Sequence, residues 1–167
     1  PLGLDTEREV VIPSDAAGIK LVTLASHWGE GNRVTWRGED KMTLVLEMLR
    51  SAIDWGGLDW LVIDSPPSQG EEMMAVLEDL PHLWGALIVT QPSQFSIADC
   101  ERLVDLYRDA GVPLVGVVAN MDGCQCPQCG YYFHPLGTPH VDIEKWCKDL
   151  ELPFILRIPQ VEKLERY

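Results

Sequence analysis

A cluster of thiols is the feature of this sequence most able to do chemistry. The five cysteines are at positions 100, 124, 126, 129 and 147. Cys126-Pro127-Gln128-Cys129 has the C-x-x-C spacing that lets two thiolates reach one metal ion, and Gly130 permits a turn after it. A closed zinc site or a [4Fe–4S] cluster needs four ligands. The economical solution is a two-fold axis across which two chains each contribute Cys126 and Cys129.

The residues alone leave other uses of these thiols open. A single-chain site made of Cys124, Cys126, Cys129 and His134 is conceivable, and without further information zinc is the favoured metal. A redox disulfide ranks third, since no thioredoxin-like sequence surrounds the pair. The remaining cysteines lie on apolar faces of predicted helices, so we expect them in the core.

A second candidate for chemistry is a carboxylate at the end of an apolar run, where it could take part in phosphate chemistry. Asp64 ends residues 58–64 (LDWLVID) and could hold a water of a magnesium shell at the edge of a sheet. Pro66 and Pro67 fix the chain just beyond it, and Gly70 allows a sharp turn or a close approach to a ligand. A rigid connecting loop explains the same residues.

The elements that must position these residues alternate along the chain. Apolar runs predict strands at residues 20–24, 58–64, 86–90, 112–119 and 154–158, and helical spacing predicts helices at residues 39–55, 71–80, 96–110 and 141–150. Ser96 with Asp99 forms a capping-box pattern, and Gly111 suits the end of that helix. Such alternation predicts an α/β fold with a mostly parallel sheet. Ligands then bind at the carboxyl ends of strands, where Asp64 and Asn120 fall.

Composition narrows the class of protein. The 167 residues, 46% apolar and 23% charged, predict a single globular domain over residues 1–167 with a cysteine-bearing loop at 121–139. A net charge of −13 disfavours nucleic acid and anionic membranes as partners. Clustered thiols, together with no apolar run of about 18 residues and no signal-peptide pattern, make the cytoplasm the simplest location.

Several motifs together resemble one family. They are residues 36–38 (WRG), 54–56 (DWG), 58–67 (LDWLVIDSPP), 86–92 (ALIVTQP), 116–121 (GVVANM), 126–130 (CPQCG) and 157–159 (RIP). In this order they resemble the Mrp/ApbC family (Nbp-type), which are MinD-related P-loop ATPases that carry iron–sulfur clusters. The resemblance implies a P-loop NTPase fold of the SIMIBI/MinD-like kind and an ATP-dependent carrier that assembles or transfers a [4Fe–4S] cluster.

The resemblance also assigns roles to residues. Asp64 would be the Walker B carboxylate for magnesium and the catalytic residue of ATP hydrolysis. Pro66, Pro67 and Gly70 would belong to the switch loop that senses the γ-phosphate, and Asn120 would hydrogen-bond the adenine. The partners would be an identical or related ATPase subunit, with the cluster bridging the two, and apo iron–sulfur proteins.

The chain departs from the family in three places. No Gly-Lys-Ser or Gly-Lys-Thr occurs, so we expect that the Walker A segment and its strand are absent, and that ATP hydrolysis belongs to the intact protein. A fragment and a natural loss both explain this. Ser68 and Gln69 stand where the family has Gly-Thr, and residues 138–140 replace a Gly-rich segment. The rival functions are a non-hydrolysing, zinc-stabilised interaction domain and a MinD-like positioning ATPase, which the acidity disfavours.

Overall fold

A computed structural model describes residues 3–5, 10–23, 53–65, 71–80, 83–134 and 141–160. The contacts divide the chain into two compact units, Pro1–Pro81 and His82–Tyr167. Among the described residues, no helix has the length and apolarity needed to cross a membrane.

The first unit contains short antiparallel strands. Strands β1 (Gly3–Asp5) and β2 (Val10–Ile12) pair with each other, and β3 (Ser14–Ala16) pairs with β4 (Ile19–Leu21). The predicted strand at residues 20–24 is therefore shifted towards the N-terminus and belongs to a hairpin. The hairpin turns at Ala17 and Gly18, where both φ angles are positive, at 55° and 81°.

Two predicted elements of this unit, the helix at 39–55 and the strand at 58–64, are wrong where the structure describes their residues. Ile53 forms a parallel bridge with Val11, and the Asp54 N–H donates to the Val11 carbonyl at 3.0 Å. The end of the helix predicted at 39–55 is therefore extended, and residues 39–52 lie outside the described residues. Residues 58–65 form no strand. Trp60 and Val62 are 66% and 87% exposed, and among the described residues no strand pairs with this segment to bury its apolar side chains.

Helix α1 (Glu71–Asp79) confirms the helix predicted at residues 71–80.

The second unit begins with β5 (Ala86–Thr90), which matches its prediction, followed by helix α2 (Gln94–Asp109). Ser93 is the N-cap of α2, because its hydroxyl accepts the Ser96 N–H at 3.2 Å. The predicted capping box at Ser96 and Asp99 is thus wrong, and Asp99 instead pairs with Arg102.

The sheet of the second unit is built around one central strand. β6 (Leu114–Gln125) runs parallel both to β5 and to β8 (Phe154–Gln160), and its far end pairs antiparallel with β7 (Tyr132–Phe133). The mostly parallel sheet was predicted and is confirmed. Helix α3 (Ile143–Asp149) begins at the N-cap Asp142 and precedes β8.

The core of the second unit lies between this sheet and its helices. Its buried members are Ile88, Ile97, Cys100, Val104, Val117, Ala119, Ile143, Trp146, Cys147 and Leu152. Cys100 and Cys147 are therefore core residues, as expected. Ile143 has no exposed surface, so it packs at the centre of the cluster.

β6 is longer than its prediction at residues 112–119. Its parallel pairing with β8 shifts register between Val117 and Val118, continues to Asn120, is then interrupted, and resumes at Cys124. Met121 has a φ of 54° at the interruption. The predicted loop at 120–139 is therefore a strand up to Gln125 and a hairpin with β7, while residues 135–140 lie outside the described part. The partners β7 and β8 stabilise an extended chain where the local sequence shows no strand pattern.

Replacing Ile143 by Ala should lower the free energy of unfolding by about 2–5 kcal/mol, because it removes a fully buried side chain and leaves a cavity. The matched variant is Ile158→Ala, whose side chain is 45% exposed, and its loss should be about 1 kcal/mol or less. Urea unfolding followed by circular dichroism measures both. Equal losses for the two variants would show that the core is not centred on Ile143.

Candidate functional site

The C-x-x-C motif forms a tight turn between β6 and β7, and we call residues 126–130 the cysteine turn. The Gly130 N–H donates to the Cys126 carbonyl, and the Cys126 N–H donates to the Tyr131 carbonyl, both at 2.9 Å. Gly130 has a φ of 72°, the left-handed conformation that glycine adopts without strain. The turn predicted at Gly130 is confirmed.

The surroundings of the turn lower the pKa of one of its two thiols. The pKa of Cys126 is lowered, first by the N–H of Cys129, then by the N–H of Gln128, and then by a hydrogen bond from the Cys129 thiol. A lowered pKa favours the thiolate, which is the form that binds a metal. Cys126 is partly exposed and Cys129 is exposed, so both sulfurs are accessible from outside the chain.

The other two candidate ligands are directed elsewhere. Cys124 is within β6 and pairs with Phe133. The His134 ring faces a carboxylate, with Nδ1 3.6 Å from Oδ1 of Asp122. In the part of the chain that the structure describes, no three His, Cys, Asp or Glu side chains are grouped so as to hold a metal ion. Of the predicted thiols, the structure brings together Cys126 and Cys129.

An unpredicted ion-pair network lies beside the turn. Asp122 has no exposed surface, and Nη1 of Arg157 donates to its Oδ2 at 2.5 Å. Nη2 of Arg157 donates to Oε2 of Glu144 at 3.0 Å. The Tyr132 hydroxyl donates to the Asp122 backbone carbonyl. The sequence contains one indication that Asp122 has a special role, because it is the single Asp, Glu, Lys or Arg between positions 110 and 141.

The surface of the hairpin next to the turn is aromatic. The rings of Tyr131 and Phe133 stack with centroids 6.4 Å apart and planes 7° from parallel. Tyr131 is 69% exposed and Phe133 is 39% exposed. We call these two residues the aromatic pair. Their neighbour Tyr132 instead contacts His134 edge-on, on the side of Asp122.

The residues predicted to contact nucleotide are only partly described. Asp64 is exposed and follows residues that form no strand. Pro66, Pro67 and Gly70 lie outside the described residues. Asn120 is the last residue before the interruption between β6 and β8, and its Oδ1 accepts the Met121 N–H at 3.0 Å. Asn120 therefore lies in β6, at the last position paired with β8 before the interruption, and not beyond the strand.

Comparisons with known proteins agree on one group. A family model described as ParA, NUBPL iron-transfer P-loop NTPase, matches residues 3–167. An iron–sulfur cluster carrier protein of Methanocaldococcus jannaschii is 34% identical over 126 residues, which are 75% of this chain and 42% of that protein. The carrier protein of Methanococcus maripaludis is 33% identical over 154 residues, covering 92% of this chain and 52% of that protein.

A mouse relative and a solved structure extend the comparison. The iron–sulfur cluster transfer protein NUBPL of Mus musculus is 32% identical over 142 residues, 85% of this chain and 43% of that protein. The chain thus spans about half the length of the curated relatives it matches. A nucleotide-binding protein from Archaeoglobus fulgidus, solved with ADP, has a TM-score of 0.65 and 22% identity, with 96% of this chain and 60% of that chain covered. This likeness supports the P-loop NTPase fold.

The thiols should differ in their reactivity towards iodoacetamide at about pH 8. Cys126 should react with a rate midpoint at lower pH than in the urea-unfolded chain, because its pKa is lowered. Cys147 should react last, because burial first, and the charge of Glu144 second, raise its pKa to about 11. Mass spectrometry of tryptic peptides gives the order. Equal midpoints for Cys126 in the folded and unfolded chain would contradict the hydrogen bonding described for the turn.

Proposed function

Because the chain belongs to the family of NUBPL-type iron-transfer P-loop NTPases, we propose that it is the cluster-holding part of an iron–sulfur cluster carrier. The cluster is the cargo of such a protein and is passed on to apo iron–sulfur proteins. The observation that carries the proposal is the cysteine turn, in which two accessible thiols are adjacent and one is favoured as a thiolate. Iron in these clusters is bound by cysteine thiolates.

The donor set fits a cluster shared between two chains. Each chain contributes Cys126 and Cys129, and a [4Fe–4S] cluster has four thiolate ligands. Two turns related by a two-fold axis complete the set, as in any closed dimer with a self-complementary contact. Because Cys129 is exposed, a second chain can approach the sulfurs directly.

The charge around the turn supports a partner that is a second copy of the chain. Two copies, each with a net charge of −13, repel each other. The segment from 110 to 141 has one charged side chain apart from histidines, and that side chain, Asp122, is buried against Arg157. The segment that carries the thiols therefore exposes no Asp, Glu, Lys or Arg side chain of its own. The aromatic pair adds exposed apolar area that a dimer contact would bury.

The nucleotide part of the proposal concerns the whole protein, since this chain spans about half of its relatives. ATP with magnesium is the proposed ligand. Asp64 would hold a water of the magnesium shell, and Pro66, Pro67 and Gly70 would form the switch segment that senses the γ-phosphate. Asn120 would donate from Nδ2 to the adenine, because its Oδ1 already accepts the Met121 N–H.

Binding and hydrolysis of ATP would bias the dimer contact, so that the cluster is loaded or released. The acidity of the chain supports a carrier that acts without nucleic acid or an anionic membrane. The free cysteines support a reducing compartment, and we propose the cytoplasm.

After anaerobic purification and reconstitution, the chain should contain about two iron and two sulfide per chain. Cys126→Ser and Cys129→Ser should each lose both, because each removes two of four ligands from the dimer. Cys147→Ala is the matched control and should keep them, since Cys147 is buried in the core. Metal and sulfide analysis, with the molar mass from light scattering, gives the answer.

Stoichiometric zinc that disappears in the Cys126 and Cys129 variants would instead establish a structural zinc module and would overturn the carrier proposal. Iron that is retained by a chain of monomeric mass would contradict the shared site. Loss of iron in Cys124→Ser as well would add a third ligand to the set.

In the whole protein, Asp64→Asn should lower the kcat of magnesium-dependent ATP hydrolysis by at least about 100-fold, because the metal loses its anionic anchor. Asp59→Asn is the matched control, as Asp59 is an exposed carboxylate in the same segment. A steady-state phosphate-release assay compares the two variants. If both variants hydrolyse ATP at the same rate, Asp64 does not hold the metal.

A further inference from the structure

The segment bearing the thiols is weakly tied to the sheet by its backbone. We call residues 120–134 the cysteine hairpin. β6 pairs in parallel with β8 from Val117 to Asn120, with one register shift after Val117, and beyond Asn120 only Cys124 pairs, with Gln160. Met121, with a φ of 54°, breaks the strand geometry between them. A hairpin attached in this way needs other contacts to keep one orientation.

Side-chain contacts attach the cysteine hairpin to the sheet where backbone pairing does not. Asp122 projects from the hairpin into a fully buried position, where Arg157 of β8 donates to it at 2.5 Å. Arg157 is itself held from a second element, since Glu144 of α3 accepts from its other nitrogen at 3.0 Å. The hairpin is thereby tied to β8 and α3 through one charged hydrogen bond of the strong class.

The same residue is connected to the cysteine turn. The Tyr132 hydroxyl donates to the carbonyl of Asp122, and the Tyr132 ring covers Gly123, where a Cβ atom would overlap the ring. Tyr132 pairs with Gln125 across the hairpin. Gln125 then donates from Nε2 to the carbonyl of Gly130 at 3.1 Å, which closes the path at the turn.

We propose that Asp122 is a positioning residue for the thiol pair: its ion pair with Arg157 fixes the cysteine hairpin on the sheet and so keeps the cysteine turn in one orientation. The consequence of this positioning for holding a cluster rests on the proposed function, but the positioning of the hairpin does not. A buried charged pair suits this task, because the hairpin can satisfy Asp122 in one docked orientation only.

The test compares amide hydrogen exchange of the full chain in wild type, Asp122→Asn and Arg157→Gln, without metal. Both variants should exchange the amides of Gln128, Cys129 and Gly130 about tenfold faster, since a charged hydrogen bond to a buried group is lost. The two effects should not add in the double variant, because both remove the same contact. Asp99→Asn is the matched control, since it removes a carboxylate from an exposed ion pair with Arg102.

A second readout separates positioning from general stability. In Asp122→Asn the core amides of α2 should keep their protection while the amides of the cysteine turn lose theirs. Tyr132→Phe, which removes one hydroxyl, should give a smaller change of the same sign. Unchanged exchange in the turn would overturn the proposal. Equal acceleration of the turn and of the α2 core would also overturn it, because Asp122 would then act on stability alone.

Iron retention distinguishes the two proposals. If the wild-type chain binds iron and Asp122→Asn releases it to a chelator several times faster with all four thiols of the dimer present, both hold. If the wild type binds no iron but Asp122→Asn still loosens the turn, the carrier proposal fails and the positioning role remains.

Discussion

The second unit depends on the backbone pairing of one strand. β6 is hydrogen-bonded along both edges, to β5 and to β8, and it supplies the buried Val117 and Ala119 to the core. The same strand continues into the cysteine hairpin. The core and the thiols therefore share one continuous segment of backbone, and a rigid core on one half of β6 gives the other half a fixed starting point.

Because β6 belongs both to the core and to the cysteine hairpin, its second half must leave the sheet. The break follows Asn120, where the parallel pairing with β8 is interrupted, and Met121 has a positive φ. Beyond it, Asp122 returns a side chain to the sheet and contacts Arg157, which follows the core-packed Phe154 on β8. Asn120, the residue proposed to contact adenine, is two positions before Asp122. A movement of Asn120 on nucleotide binding would therefore directly displace the start of the cysteine hairpin.

The sequence predicted what depends on local patterns. Helix α1, strand β5 and the turn at Gly130 follow from periodicity and from glycine chemistry, and each was found close to its predicted position. Two features that depend on distant partners were missed. Residues 58–64 read as a buried strand, but strand formation needs neighbours, and Val62 is 87% exposed. The partner of Asp122 is 35 residues away, so no local pattern could identify it.

The buried ion pair of Asp122 and Arg157 affects both the charge exposed near the thiols and the position of the cysteine hairpin. In the dimer proposed above, two copies that each carry a net charge of −13 would meet most readily where few ionised side chains are exposed. The segment that carries the thiols meets this condition because its one carboxylate, Asp122, is buried. Burial of that group is costly unless it is paired, and Arg157 provides the pair. The pairing then fixes where the hairpin can lie. The proposed dimer contact and the proposed positioning of the cysteine turn would therefore both depend on the same buried ion pair.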